Sequence, residues 1–143
     1  MTIRDKEIEI IDDFALFDDA MDRYEHLIDY GKQMPQLAAE YCRDEFLVKG
    51  CQSKVWLVGR FDNGLMRFEA DSNTVIVRGI VGLLLHLVNG EQAESILAYD
   101  FGIIQKIGLQ EMLSSQRSNG LLAMMNRIKE ITRMVSKTTT HDA

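Results

Sequence analysis

Val48-Lys49-Gly50-Cys51-Gln52-Ser53-Lys54-Val55-Trp56-Leu57-Val58 reads as strand, tight turn, strand, with a thiol at the turn. Glycine accepts positive φ or close backbone approach, so Gly50 directly before Cys51 sets where the sulfur points. Loops on rigid scaffolds carry chemistry more often than strand interiors do. A plainer reading stands beside this one, in which Cys51 is a small buried hydrophobe without reactivity. Locally only Lys49 and Lys54 argue for a lowered thiol pKa.

Outward from the turn, residues 46–49 form a short strand and 54–61 a better one, with Val55 and Leu57 alternating against Trp56 and Val58. Asp62-Asn63-Gly64 is a hairpin signal, and 65–70 returns with Met66, Phe68 and Ala70 on one face. A sheet this small must lean on helices. Residues 75–88 are the most apolar stretch, too short to span a bilayer, and read as a buried helix ended by Asn89-Gly90. Gly79 and Gly82 leave a smooth patch on it where another element approaches closely, and His86 is a core or core-edge histidine.

Upstream, 3–14 is an amphipathic helix with Ile8, Ile11 and Phe14 on its apolar side. Asp18 caps a second helix whose stripe is Met21, Tyr24, Leu27 and Ile28 and which Gly31 ends; His26 on it is a solvated surface residue. Residues 36–44, after Pro35, form a helical turn with Cys42 on its apolar side, a structural cysteine. Downstream, 92–99 and 101–107 are short helical pieces separated by Asp100. Ser114 caps a last helix to about 136, with Leu121, Met124, Met125, Ile128, Ile131 and Val135 as its core stripe. The tail, 138–143, is polar and frayed. The predicted class is α+β: a small antiparallel three-stranded sheet with helices packed mainly on one side, in a single domain over 1–143.

The totals set limits on function. A chain of 143 residues is one domain's worth, and 46% hydrophobic content excludes wholesale disorder. Net charge −6 without a basic block argues against nucleic acid and against anionic membrane surfaces. The charged N-terminus lacks the apolar core of a signal peptide, so a cytoplasmic protein with reduced thiols is expected. There is no Gly-rich phosphate loop and no Cys-x-x-Cys. Two cysteines and three scattered histidines do not make a structural zinc site, and an iron–sulfur cluster would need thiolates from a second subunit. What remains is one thiol, whose cofactor-free chemistry is sulfur exchange.

Val48-x-Gly50-Cys51-Gln52-Ser53-x-Val55-Trp56-Leu57 resembles the signature of the SufE family, sulfur-acceptor proteins that work beside cysteine desulfurases. Further matches follow in order: Tyr30-Gly31-Lys32-Gln33-Met34-Pro35, Phe68-x-Ala70-Asp71-Ser72, Val77-Arg78-Gly79-Ile80 and Leu113-Ser114-Ser115-Gln116-Arg117-Ser118-Asn119-Gly120-Leu121. Phe46 and Leu47 stand where many relatives carry something more polar. The resemblance implies the SufE/IscU-like fold and a persulfide carrier that is co-substrate and activator of a cysteine desulfurase, not an independent enzyme. By the same resemblance Cys51 accepts the sulfur, Gly50 frees the loop, and Arg117 lies near that loop to serve the thiolate or a partner's carboxylate. Asp71 matches a position at the sheet's end with a loop-supporting role. The pyridoxal phosphate belongs to the desulfurase and this chain carries no cofactor; an iron–sulfur assembly scaffold takes the sulfur onward. Monomer and homodimer, a paralogous thiolation pathway and a non-covalent activator all stay open.

Overall fold

The structure, a computed structural model, describes residues 2–142, with side chains described for 2–136. Its elements are α1 (Ile3–Ala15), α2 (Ala20–Lys32), β1 (Val55–Asp62), β2 (Leu65–Ser72), α3 (Val75–Val88), α4 (Ala93–Ala98), α5 (Ile103–Lys106), α6 (Leu109–Met112) and α7 (Ser115–Asp142). The expected frayed tail, 138–143, lies outside the described side chains.

β1 and β2 pair antiparallel from Val55 opposite Ser72 to Asp62 opposite Leu65, and Asn63 and Gly64 turn the hairpin with positive φ. Val55, Leu57, Met66, Phe68 and Ala70 are buried on one face, while Arg60 and Arg67 are exposed on the other. That alternation is what a sheet covered on one side requires. The third strand is a correction: among the described residues the sheet has two. The approach to the cysteine curls into a 3-10 turn at Asp44–Phe46, and only Leu47 bridges Trp56, with Val48 N–H donating to Val55 O at 2.8 Å. A run this short, ending at a positive-φ glycine, is too brief to extend the ladder. The outer edge of β2 is closed by the chain after α3. Gly90 and Glu91 bond the Met66 backbone, and the Asn89 side-chain amide takes both polar groups of Phe68, accepting at 2.6 Å and donating at 3.1 Å. An edge so covered offers little template for pairing with another chain.

α3 is buried nearly all round, as its apolar sequence demands, and it is the centre of the molecule. α2 crosses it backbone to backbone. A Cβ on Gly79 would lie 2.5 Å from Leu27 O, and one on Gly82 would lie 2.5 Å from Tyr30 O. Gly31 does not end α2; it is buried inside the helix, where a Cβ would meet Gly79 N at 2.8 Å. α2 stops at Lys32, ahead of Pro35. α1 reaches the far end of α3 through Lys6, whose ammonium donates to Leu87 O and Asn89 O and pairs with Glu91 at 2.7 Å. These carbonyls belong to the C-terminal end of α3, where a cation is favoured.

Several local expectations shift. α1 buries Ile3, Ile10 and Phe14, and Ile8 is half exposed, because the buried ridge takes the seven- and four-residue spacing. Asp19, not Asp18, caps α2, accepting from Met21 N–H, and Met21 itself is exposed. Residues 36–44 give only a 3-10 turn at Ala39–Tyr41, and Cys42 is exposed at its end instead of packed. His26 is not solvated. Its ring lies 4.6 Å from Phe14, 5.2 Å from Phe17 and 5.3 Å from Tyr30, with Nε2 buried. His86 is exposed, not in the core: it is the one residue of 81–88 that α3 turns to solvent, with its ring 5.6 Å from that of Tyr30. The two short helical pieces shrink to α4 and α5, and α6 is added after Gly108. Ser114 caps α7 as expected, its hydroxyl accepting from Arg117 N–H at 3.3 Å, and Leu121, Met124, Ile128 and Ile131 are buried.

Candidate functional site

The cysteine loop hangs between two fixed points. On one side Val48 is buried and bonded to Val55. On the other, Ser53 Oγ accepts from the Thr74 hydroxyl at 2.8 Å, and the Lys54 backbone pairs with Asn73. Lys49, Gly50, Cys51 and Gln52 lie between. Gly50 has φ +95°, and a Cβ there would meet Ala123 of α7 at 3.3 Å, so both backbone and packing ask for glycine.

Cys51 is half-buried and its thiol donates to Gly120 O, with Sγ at 3.5 Å. Gly120 is where α7 makes room: a Cβ there would lie 3.4 Å from Sγ. The sulfur borders a cavity of about 340 Å³ lined by Ser53, Val77, Ile80, Arg117 and Met124 among others. Burial pushes the Cys51 thiol up from its ordinary value. A resting thiol of this kind is mostly protonated at neutral pH and is sheltered from solvent reagents.

Of the three cations expected near it, Lys49 and Lys54 are exposed and do not line this cavity. Arg117 does line it, half-buried in the first turn of α7, with Nη1 donating to Tyr24 Oη at 2.8 Å. The structure thus brings Gly50, Cys51 and Arg117 together and places Asp71 elsewhere. Asp71 Oδ1 accepts from Arg78 Nε at 2.9 Å and from Ser72 N–H at 2.8 Å. Arg78 also donates to Gly31 O and, at 3.1 Å, to Met34 O, so it ties the end of β2 to the end of α2. The sequence alone gives Tyr24 only a place in the apolar stripe of α2, and gives Arg78 and Gly120 only places within matched stretches, with no role at the site. Arg78 has one available signal, a guanidinium in the most apolar stretch of the chain. Arg78→Met is expected to cost about 2 kcal/mol, because it strips donors from two carbonyls and leaves the Asp71 carboxylate unpaired. Urea unfolding of the variant measures this.

Among the described residues no group of three or more His, Cys, Asp or Glu is arranged to hold a metal, and no helix is long and apolar enough to cross a membrane. The fold and site together are a two-stranded α+β domain with one half-buried cysteine at a glycine turn, set against the start of a long C-terminal helix. Residues 8–132 match the SufE family, described as the Fe-S metabolism associated domain, and the chain belongs to that family. It is 50% identical over 127 residues to an uncharacterized SufE-like protein of Rhizobium etli, covering 85% of this chain and 86% of that one. It is 37% identical over 116 residues to the sulfur acceptor protein CsdE of Escherichia coli, covering 80% and 79%. In fold it is similar to the solution structure of a hypothetical protein from Thermus thermophilus, with TM-score 0.77 at 22% identity, covering 92% and 96%.

Proposed function

We propose that this chain accepts sulfane sulfur on Cys51 from the persulfide of a cysteine desulfurase, stimulates that enzyme, and passes the sulfur to an iron–sulfur assembly scaffold. The observation that carries the reading is the thiol itself, held half-buried beside Arg117 on a four-residue loop with a glycine hinge. The step is a sulfur exchange. Once its proton has gone to solvent, the Cys51 thiolate attacks the outer sulfur of the donor persulfide. A new S–S bond forms on Cys51, the donor's S–S bond breaks, and the donor cysteine leaves as thiolate. No net oxidation occurs, so no oxidant is required. Gly50 and Cys51 are the moving parts, Arg117 supplies positive charge at the cavity, and the Asp71–Arg78 pair holds the ends of β2 and α2 in place. A partner that carries pyridoxal phosphate makes the persulfide; this chain needs only the thiol.

Incubation with a desulfurase and cysteine, followed by peptide mass analysis, is expected to place one added sulfur on Cys51. Cys42 is expected to stay unmodified, although it is the more exposed thiol. Cys51→Ser should take up no sulfur and stimulate no turnover. Full stimulation by Cys51→Ser would identify a non-covalent activator instead. Sulfur mainly on Cys42 would overturn the assignment of the acceptor.

A further inference from the structure

Arg117 is the guanidinium that lines the Cys51 cavity, and a different helix sets its orientation. Nη1 donates to Tyr24 Oη at 2.8 Å, across 93 residues of sequence. Tyr24 stands in the middle of α2, half-buried, with its ring packed on the hydrophobic core. The phenol oxygen is therefore presented by a ring that the core holds still. α2 is itself fixed, locked to α3 through Gly31, Gly79 and Gly82.

The partner's chemistry matters. Arg43, Arg60, Arg78 and Arg127 each pair with a carboxylate. Arg117, like Arg23, has no carboxylate partner among the described residues, but where Arg23 donates to backbone carbonyls, the one side-chain bond of Arg117 is to a hydroxyl. A phenol fixes the direction of the guanidinium without cancelling its charge, and it occupies one of five N–H donors. Burial raises the Cys51 thiol, so the charge of Arg117 does not go to making a resting thiolate. It stays available for a negative group that arrives from outside.

On the reading of Cys51 as sulfur acceptor, we propose that Tyr24 is a positioning residue. It holds the Arg117 guanidinium at the cavity, where it meets the negative charge of the incoming donor persulfide. An arginine released from that bond keeps its charge but loses its direction, and misplacement of a positioned group lowers the rate more than the binding.

Tyr24→Phe keeps the packed ring and removes only the hydroxyl. Its melting temperature should stay near that of the parent chain. The maximal rate of sulfur transfer to Cys51 should fall about tenfold, with the half-saturating concentration nearly unchanged. In an Arg117→Ala background the same change should cost nothing further. A Tyr24→Phe chain with parental transfer, or one whose loss persists in the Arg117→Ala background, overturns the proposal. The contact has its own readout: the Arg117 Nη1–H resonance should exchange slowly with solvent in the parent chain and fast in Tyr24→Phe. Equal exchange in the two overturns the positioning whether or not sulfur moves. A held resonance in a parent chain that accepts no sulfur from any desulfurase overturns the acceptor reading, and the transfer role of Tyr24 with it.

Discussion

Gly79→Ala is expected to cost about 3 kcal/mol, against the usual sign for this substitution in a helix. In a helix open to solvent, alanine is the better residue by about 1 kcal/mol. Here the added carbon would sit 2.5 Å from Leu27 O and 3.0 Å from the Ile28 Cα, both of them backbone atoms of α2. Neither can swing away as a side chain can, so α2 and α3 must part along their whole crossing. Gly31 and Gly82 sit at the same crossing and share the opened space. A loss of this size is a large fraction of a small domain's stability, typically about 5–15 kcal/mol. Urea or guanidinium unfolding measures it directly, and a Gly79→Ala midpoint at or above the parental one would show that the two helices do not touch in this way. The site should suffer as well, because α2 carries Tyr24 and α3 carries Val77 and Ile80 of the cysteine cavity.

That crossing is legible in the sequence from one side only. Gly79 and Gly82, set in an apolar helix, announce a close neighbour, and α2 is that neighbour. Gly31 reads wrongly as a helix end, because a lone glycine before Lys-Gln-Met-Pro matches the chemistry of a stop signal as well as that of a contact. Only the partner's backbone distinguishes the two. The hairpin is legible because Asn63-Gly64 and strict alternation act locally. The third strand is not a readable feature, since a four-residue run carries no information about whether its neighbour lies in register. His26 looks solvated because its helical neighbours are charged, yet Phe14 and Phe17, from the chain before α2, close over it. At the site, the order of motifs names Gly50, Cys51 and Arg117, all of which border one region of the folded chain. Tyr24 and Gly120 are invisible as partners: one acts through a single hydroxyl, the other through an atom it lacks.

Cys51 of the isolated chain is expected to react with iodoacetamide about tenfold more slowly than a peptide thiol at neutral pH. Two effects act in the same direction. Burial raises the thiol's pKa, which reduces the thiolate available at any pH below it, and the half-buried position against Gly120 limits access. The rate should therefore climb with pH through an inflection above that of a free thiol, about 8.5. A second loop state, with Cys51 swung out from Gly120, is expected to be the one a desulfurase binds; docking of a desulfurase whose own catalytic cysteine has been replaced should then speed the reaction, since a partner shifts two states by its difference in affinity for them. The fixed points at Val48 and Ser53 confine the motion to four residues, and Gly50 supplies the backbone freedom within them. Gly120→Val separates shelter from docking. Its branched carbons would crowd Sγ where it now rests, since a Cβ alone would already touch it at 3.4 Å. The variant should hold Cys51 outward without any partner, alkylate at nearly the peptide rate, and show its inflection lowered toward the free-thiol value. Alkylation of the parent chain at the peptide rate would mean that the loop gives no shelter. A Gly120→Val chain that stays folded and reacts as slowly as the parent would mean that the thiol is sheltered somewhere other than against α7.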